Sequence, residues 1–190
     1  MPGLEATVAR EPLHRRQIDI QGYKRADGLY DIEGHLVDTK PYDIKLGVGM
    51  RPAGEAVHSM WLRITVDRTL TIVDAAAAMD AMPYVDHCNE IVPAYRKLVG
   101  LAIRPGYQQK LKELLGGVRG CTHITEMAGI LATAAFQTMS GQRLQDPEKK
   151  PFQLDRCHAL AADSPVVGRY YPKWYTGATP VKAADEADNH

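Results

Sequence analysis

The sequence has no excess of either charge, because 23 lysine and arginine residues stand against 23 aspartate and glutamate residues. A balanced chain lacks the basic footprint of proteins that bind nucleic acid or anionic membrane surfaces. It also lacks an apolar run near the roughly 20 residues that a membrane-spanning helix needs. Residues 1–16 have no apolar signal core. We therefore expect a cytoplasmic protein whose partners include neither nucleic acid nor a membrane.

Cysteine is scarce, and its three copies show no close pairing pattern. An odd number of unpaired cysteines indicates free thiols in a reducing compartment. Tight ligand pairs of the Cys-x-x-Cys kind are absent, so we expect the purified protein to carry no stoichiometric zinc or iron. A Walker loop, a dinucleotide fingerprint and a Gly-x-Ser-x-Gly elbow are absent too. These absences favour a protein without a cofactor.

The length of 190 residues is typical of one domain, with a hydrophobic core large enough to be stable without disulfide bonds or a structural metal. Residues 1–12 read as a flexible arm. We expect a single α+β domain over residues 13–177 and a disordered tail over residues 178–190.

Alternating polar and apolar residues predict four strands in the first half of the chain. An Asp-Gly turn at residues 27–28 joins the first two into a hairpin, and the last two form a second hairpin. Two successive hairpins predict a four-stranded antiparallel sheet. The intervening residues 40–54, rich in glycine and proline, read as a loop. The four predicted strands are 15–23, 29–38, 57–67 and 70–76.

The second half of the chain has helical periodicity. A helix over 86–99 is expected to break or kink at Pro93. A short helix over 107–115 ends at two glycines, and a long helix runs over about 122–138. Because sheet and helices each have an apolar face, we expect the C-terminal helices to pack on one face of the sheet.

A glycine-rich stretch enters the long helix at residues 116–126, and it combines backbone freedom with reactive side chains. Thr122 is positioned to cap the helix, which leaves His123 in its first turn. His123 and Glu126 are three residues apart and share one side of that turn. Cys121 precedes them, where free N–H groups would stabilise a thiolate. The alternative is a structural turn with a small buried cysteine.

A histidine ends the apolar face of the third strand. His58 alternates with Met60, Leu62, Ile64 and Val66, and burial there would lower its pKa and leave a neutral base. The alternative is a core histidine with one backbone partner. If the sheet packs on the long helix, His58 and His123 meet at one edge of the core. We therefore predict that both lie in one pocket.

The remaining candidates complete an acid–base site. His58 and His123 are the expected acid and base, Glu126 orients His123, and Cys121 stands beside them as a possible nucleophile. An arginine is expected to anchor a substrate carboxylate through its planar fork. The expected substrate-binding residues are Arg16, Arg63 and Tyr84.

A zinc site is the competing interpretation, because each cysteine has a histidine close by in sequence. Such a site would draw four ligands from three segments of the chain. Its six candidates are His87, Cys88, Cys121, His123, Cys157 and His158, and His58 could join them.

Several separated motifs carry a family resemblance. They include the run from His14 through Glu33, together with His58-x-Met60-x-x-Arg63, Tyr84-x-x-x-Cys88 and residues 120–123. In this order they resemble a bacterial family of unknown function, the domain of unknown function 2889, over residues of about 13 to 160. The resemblance implies a bacterial cytoplasmic protein built around these polar positions. It brings no catalytic residues with it.

We therefore expect a small cytoplasmic enzyme of lyase or isomerase type. Its chemistry would be cofactor-free proton transfer on a small organic substrate, aromatic or carboxylated, as in the metabolism of aromatic compounds. A homodimer is left open. The rival interpretations are a non-catalytic module that binds a ligand or a partner, and a Cys/His zinc-binding protein.

Overall fold

A computed structural model describes residues 6–47, 49–140 and 148–178 of the chain. Residues 6–12 of the expected arm contain no helix or strand. Residues 1–5 of that arm and residues 179–190 of the expected tail lie outside the described residues. No helix within the described ranges is long and apolar enough to cross a membrane.

The chain divides into two compact units, the first ending at residue 142 and the second beginning at residue 143. The second unit contains the 3₁₀ helix His158–Leu160, helix α4 (Pro165–Tyr170) and the 3₁₀ helix Pro172–Trp174. The Ser164 hydroxyl caps α4 by accepting from the Val167 N–H. The expected single domain over 13–177 stays a prediction.

An antiparallel sheet of four strands organises the first unit, in the order β1-β2-β5-β6, which confirms the predicted α+β class. A two-stranded hairpin of β3 and β4 lies in the segment that was expected to be a loop. That expectation was wrong because each of these strands has three residues, which are too few to show an alternating pattern of polar and apolar side chains. The strands are β1 (Arg15–Lys24), β2 (Tyr30–Thr39), β3 (Ile44–Leu46), β4 (Gly49–Arg51), β5 (Ala56–Val66) and β6 (Ile72–Ala81).

One face of the sheet contributes its side chains to the hydrophobic core. Along β2, Tyr30, Ile32 and Leu36 are buried, whereas Asp31, Glu33 and His35 are partly exposed. The alternation follows from the pleat, which turns successive side chains to opposite faces. Even-numbered residues of β5 from Met60 to Val66 are also buried. The apolar face predicted for the third strand is therefore confirmed from Met60 to Val66.

The helices of this unit follow the sheet in sequence. Helix α1 (Val85–Cys88) leads into a 3₁₀ helix, Asn89–Leu98, which contains Pro93. The break predicted at Pro93 itself is not seen, because the 3₁₀ helix continues through it. The change from α to 3₁₀ geometry falls at Asn89, four residues earlier, where the ring of Pro93 removes a hydrogen bond and clashes with the carbonyl group. Helices α2 (Tyr107–Leu115) and α3 (Thr122–Thr138) have the predicted bounds.

Helix α3 covers the apolar face of β1, β2 and β5. Its residues Ile124, Ala128, Leu131 and Ala135 are fully buried, as their spacing predicted. Gly34 on β2 allows the close approach, since a Cβ there would lie 2.7 Å from the Met127 sulfur. This packing brings the first turn of α3 over the ends of three strands.

Candidate functional site

A row of polar side chains crosses three neighbouring strands at this end of the sheet. Arg16 on β1 is the register partner of Asp38 on β2, and Asp38 is the partner of His58 on β5. All three lie on the face that α3 covers. The β2–β5 pairing is irregular beside the row, because Asp38 pairs with His58 whereas Thr39 pairs with Ala56. Such a bulge re-aims neighbouring side chains and is frequent next to active sites.

The Asp38 carboxylate is the centre of the cluster, and its side chain is only 4% exposed. Arg16 forms a bidentate interaction with it, with Nε 2.8 Å from Oδ1 and Nη2 2.8 Å from Oδ2. His14 Nε2 lies 2.9 Å from Oδ1, and His58 Nδ1 lies 3.1 Å from Oδ2. His123 Nε2 lies 3.5 Å from the same Oδ2.

These partners keep Asp38 ionised inside the protein. Burial acts to raise its pKa, but the hydrogen bonds and charges of Arg16 and His14 outweigh it and lower the pKa to about 2. An ionised carboxylate only accepts hydrogen bonds. The nearest ring nitrogens of His14 and His58 are therefore the donors, which leaves Nε2 of a neutral His58 with its lone pair.

The two imidazoles of His58 and His123 lie side by side, with ring centroids 4.0 Å apart and planes tilted by 35°. Burial lowers the pKa of His58, opposed by Asp38. Burial also lowers the pKa of His123, and the neighbouring His58 and Arg16 add to the effect. Both rings are partly exposed, at 17% and 23% of their side-chain surface. The structure thus joins the two predicted imidazoles in one cluster.

The entry into α3 is held by Tyr95 of the 3₁₀ helix Asn89–Leu98. Its hydroxyl donates to the Cys121 carbonyl, accepts from the Cys121 N–H and contacts the Thr125 hydroxyl, at 2.8–2.9 Å. Burial raises the pKa of Tyr95 to about 12, so it remains a neutral donor. A Cβ at Gly120 would collide with the Leu115 carbonyl oxygen, which explains this glycine.

The first turn of α3 differs in one respect from the sequence prediction. Cys121, and not Thr122, is the N-cap residue, and it makes no side-chain cap. Its backbone is extended at φ −85° and ψ 130°, so the helix begins at Thr122, one residue earlier than a Thr122 cap requires. His123 is still in the first turn. Tyr95 supplies the contacts that fix this end of the helix.

Cys121 and Glu126 both lie beside the imidazoles. The Cys121 sulfur is 3.7 Å from His123 Nδ1 and 3.7 Å from the Met60 sulfur. Glu126 accepts a 2.8 Å hydrogen bond from Nη1 of Arg16. Glu126 is thus tied to Arg16, and the contact expected between Glu126 and His123 is made instead by Asp38. The catalytic roles of these residues stay predictions.

Two predicted substrate-binding residues lie away from this cluster. Arg63 is on the opposite face of the sheet, 3.9 Å from carboxylate oxygens of Glu33 and Asp74. It follows His58 by five positions, and an odd spacing on a strand changes the face. Tyr84 precedes α1 and is 60% exposed, with Gly47 beneath its ring. The contacts of the described residues do not connect Tyr84 with the cluster.

In the described part of the first unit, the predicted zinc ligands do not form one metal-ligating group; they are His87, Cys88, Cys121 and His123. Cys157 and His158 belong to the second unit. The one group of three metal-ligating side chains found among the described residues consists of Asp38, His58 and His123, whose ligand atoms all lie within 4.8 Å of one another. One of the six predicted ligands, His123, is in this group together with His58, and the third member is a carboxylate.

Asp38 and His14 were missed as site residues, although the sequence contains a signal for Asp38. Counting by two from Tyr30, Ile32 and Leu36 leads to Asp38, which is a charged residue on the buried face of a strand. A charge in that position requires a partner, because burying an unpaired carboxylate is costly. His14 precedes β1 and has no comparable signal.

Comparison with known proteins yields a family but no activity. The model of a family described as a protein of unknown function (DUF2889) matches residues 14–137. This range includes all the residues that contact Asp38, and it ends before the 160 expected from the motifs. Neither the curated proteins nor the solved structures contain a match.

Proposed function

The protein belongs to the DUF2889 family, and from the geometry of its site we propose that it is a small enzyme of lyase or isomerase type. It would move protons on a small organic substrate, with His58 and His123 as the exchanging groups and no cofactor. One observation carries the proposal: two partly exposed imidazoles lie 4.0 Å apart against a single buried carboxylate. A cytoplasmic location and a bacterial origin remain expectations from the sequence.

The carboxylate of Asp38 gives the two histidines different roles. His58 donates from Nδ1 to Asp38 at 3.1 Å, so the free lone pair on Nε2 is the base. The separation of 3.5 Å between His123 Nε2 and Asp38 is longer, so His123 is held less tightly. Once protonated, His123 is stabilised by the same carboxylate, and it then serves as the acid. A positioned base or acid of this kind contributes about 10²–10⁴ in rate.

Arg16 supports the proposal of a carboxylated substrate in an indirect way. Two of its nitrogens bind Asp38, whereas Nη1 binds Glu126, whose side chain is 47% exposed. Exposed ion pairs contribute about 0–1 kcal/mol, so they exchange readily. A substrate carboxylate can displace Glu126 from Nη1 without disturbing Asp38. The substrate would then lie beside His123 at the mouth of the cluster.

A proton-transfer enzyme can be tested before its product is known. Small carboxylic acids, aromatic ones included, would be incubated with the protein in D₂O, and loss of carbon-bound hydrogen followed by NMR. We expect exchange with at least one compound for the parent protein and its loss in His58→Gln and His123→Gln. The control is His35→Gln, since His35 lies on the other face, stacked on Trp61.

The rival is a module that binds a ligand without turning it over. In that case compounds would shift protein resonances near Asp38 but would not exchange hydrogen. Exchange that persists in the His58→Gln, His123→Gln double variant would also overturn the proposal. A melting temperature near that of the parent must accompany any loss of exchange, so that loss of fold is not mistaken for loss of function.

A further inference from the structure

We infer that Asp38, His58 and His123 form a binding site for one divalent transition-metal ion of the zinc type. The three side chains come from β2, β5 and α3, so they are far apart in sequence and close in space. Their ligand atoms lie within 4.8 Å of one another. The inference goes beyond the proposed function and does not depend on it.

The separations between donor atoms fit one small ion. Zn–N and Zn–O bonds are about 2.0–2.2 Å long, so two donors on one tetrahedral ion are about 3.3 Å apart. Asp38 Oδ2 lies 3.1 Å from His58 Nδ1 and 3.5 Å from His123 Nε2. One of these distances is slightly shorter and the other slightly longer than the ideal separation between two donor atoms of about 3.3 Å. The nitrogens of His58 and His123 lie within 4.8 Å of each other, so the two rings would close towards the ion.

The kinds of donor also suit such an ion. Two imidazoles and one carboxylate are a common set for zinc and for other first-row divalent metals, and they leave positions open for solvent or substrate. A neutral His58 can carry its hydrogen on Nε2 in place of Nδ1, which turns the Nδ1 lone pair to the ion. The tautomer changes and the charge of the ring does not.

The surrounding contacts resemble the outer partners that orient metal ligands. Arg16 and His14 fix the plane of the Asp38 carboxylate. The Cys121 sulfur lies against Nδ1 of His123, on the ring atom that does not face Asp38. Cys121 is therefore an orienting partner of His123 and not a ligand of the ion.

Because of Arg16, we expect the metal ion to bind reversibly at this site. Its guanidinium neutralises much of the charge on Asp38 and repels a divalent cation. Ligating nitrogens cannot accept protons, so the metal-bound form and the proton-transfer form exclude each other. Zinc at saturating concentration would then inhibit any activity that uses the free imidazoles.

The test is a titration of the chelator-treated full-length protein with zinc chloride in a calorimeter. We expect one ion per chain. Replacing a ligand should weaken binding more than the about 10–100-fold seen for outer partners, so His58→Ala and His123→Ala should each weaken it by at least about 100-fold. The control His35→Ala should bind as the parent does. Equal binding by all four proteins would overturn the inference.

X-ray absorption on the zinc-loaded parent provides a check that needs no variant. Only nitrogen and oxygen neighbours are expected, with imidazole scattering. Sulfur in the coordination shell would place the ion at a cysteine and overturn the site. Because both readouts are metal binding, they are separate from the exchange experiment. If zinc activates the hydrogen exchange of a substrate, the metal site is supported and the cofactor-free mechanism is contradicted.

Discussion

Arg16 and Asp38 face each other across β1 and β2 and are joined by two parallel hydrogen bonds of 2.8 Å. The Asp38 side chain is almost completely buried, whereas the Arg16 side chain is 31% exposed. The pair therefore fixes the position of the acceptor that two imidazoles share. We expect the two hydrogen bonds between Arg16 and Asp38 to determine both the stability of the strand ends and the geometry of the site.

The first prediction concerns this carboxylate. Asp38→Asn keeps the shape but loses charged acceptors for Arg16, His14 and His58, and hydrogen bonds to charged groups contribute about 1.5–3 kcal/mol each. We expect the free energy of unfolding, measured in urea, to fall by at least that amount. The matched control is Asp74→Asn, which removes two long ion pairs at the surface, with Arg63 and with Arg96. It should change the free energy of unfolding by less than about 1 kcal/mol. Equal effects would show that burial of Asp38 does not matter.

The second prediction separates function from fold at the imidazoles. His123→Gln removes a ring whose contact with Asp38 is 3.5 Å long, so stability should change by no more than about 1 kcal/mol. Any turnover that depends on proton transfer should fall by about 10²–10⁴. Thermal melts and hydrogen exchange of one substrate would be compared for both proteins. A variant that keeps full turnover would remove His123 from the mechanism.

The third prediction concerns the packing of α3 on the sheet. Leu131 is fully buried within the core of the first unit. Leu131→Asp places an unpaired charge there at a cost of several kcal/mol, so circular dichroism should show an unfolded or non-cooperative protein. Ile130→Asp is the control, because Ile130 is 38% exposed on the same helix. A melt of the Leu131 variant close to the parent's would contradict the packing.

The fourth prediction concerns acid stability at the turn between β5 and β6. Burial acts to raise the pKa of Asp67, but N–H and O–H donors of Thr69 and Thr71 outweigh it and lower the pKa. A lowered folded pKa means that the stabilisation is complete above the unfolded pKa of about 3.9 and is lost as pH falls through the folded value. Asp67→Asn should therefore be less stable than the parent at neutral pH, by about 1 kcal/mol.

The measurement for this fourth prediction is the difference in unfolding free energy between parent and Asp67→Asn as a function of pH. The difference should shrink as the pH falls below about 4. A difference that stays constant down to pH 2 would show that the carboxylate has the same pKa in both states.

Much of the secondary structure was predictable because it depends on residues that are near one another in sequence. The bounds of α2 and α3 follow from glycines at their ends and from apolar residues at helical spacing. The four long strands follow from alternation. The β3–β4 hairpin was missed because its strands are three residues long, and the cap of α3 was misplaced because Tyr95 performs that role from another element.

The sequence by itself determined which face of each element is apolar, and therefore that His58 and His123 lie between sheet and helix. Only the tertiary structure decided the rest of the site. Strand register places Arg16, Asp38 and His58 in one row, and packing brings Glu126 to Arg16 across 110 residues of chain. Local propensity is blind to such pairings, because their energy arises only when the sheet has formed and α3 has covered it. That is also why a metal site assembled from β2, β5 and α3 leaves no spacing pattern in the sequence.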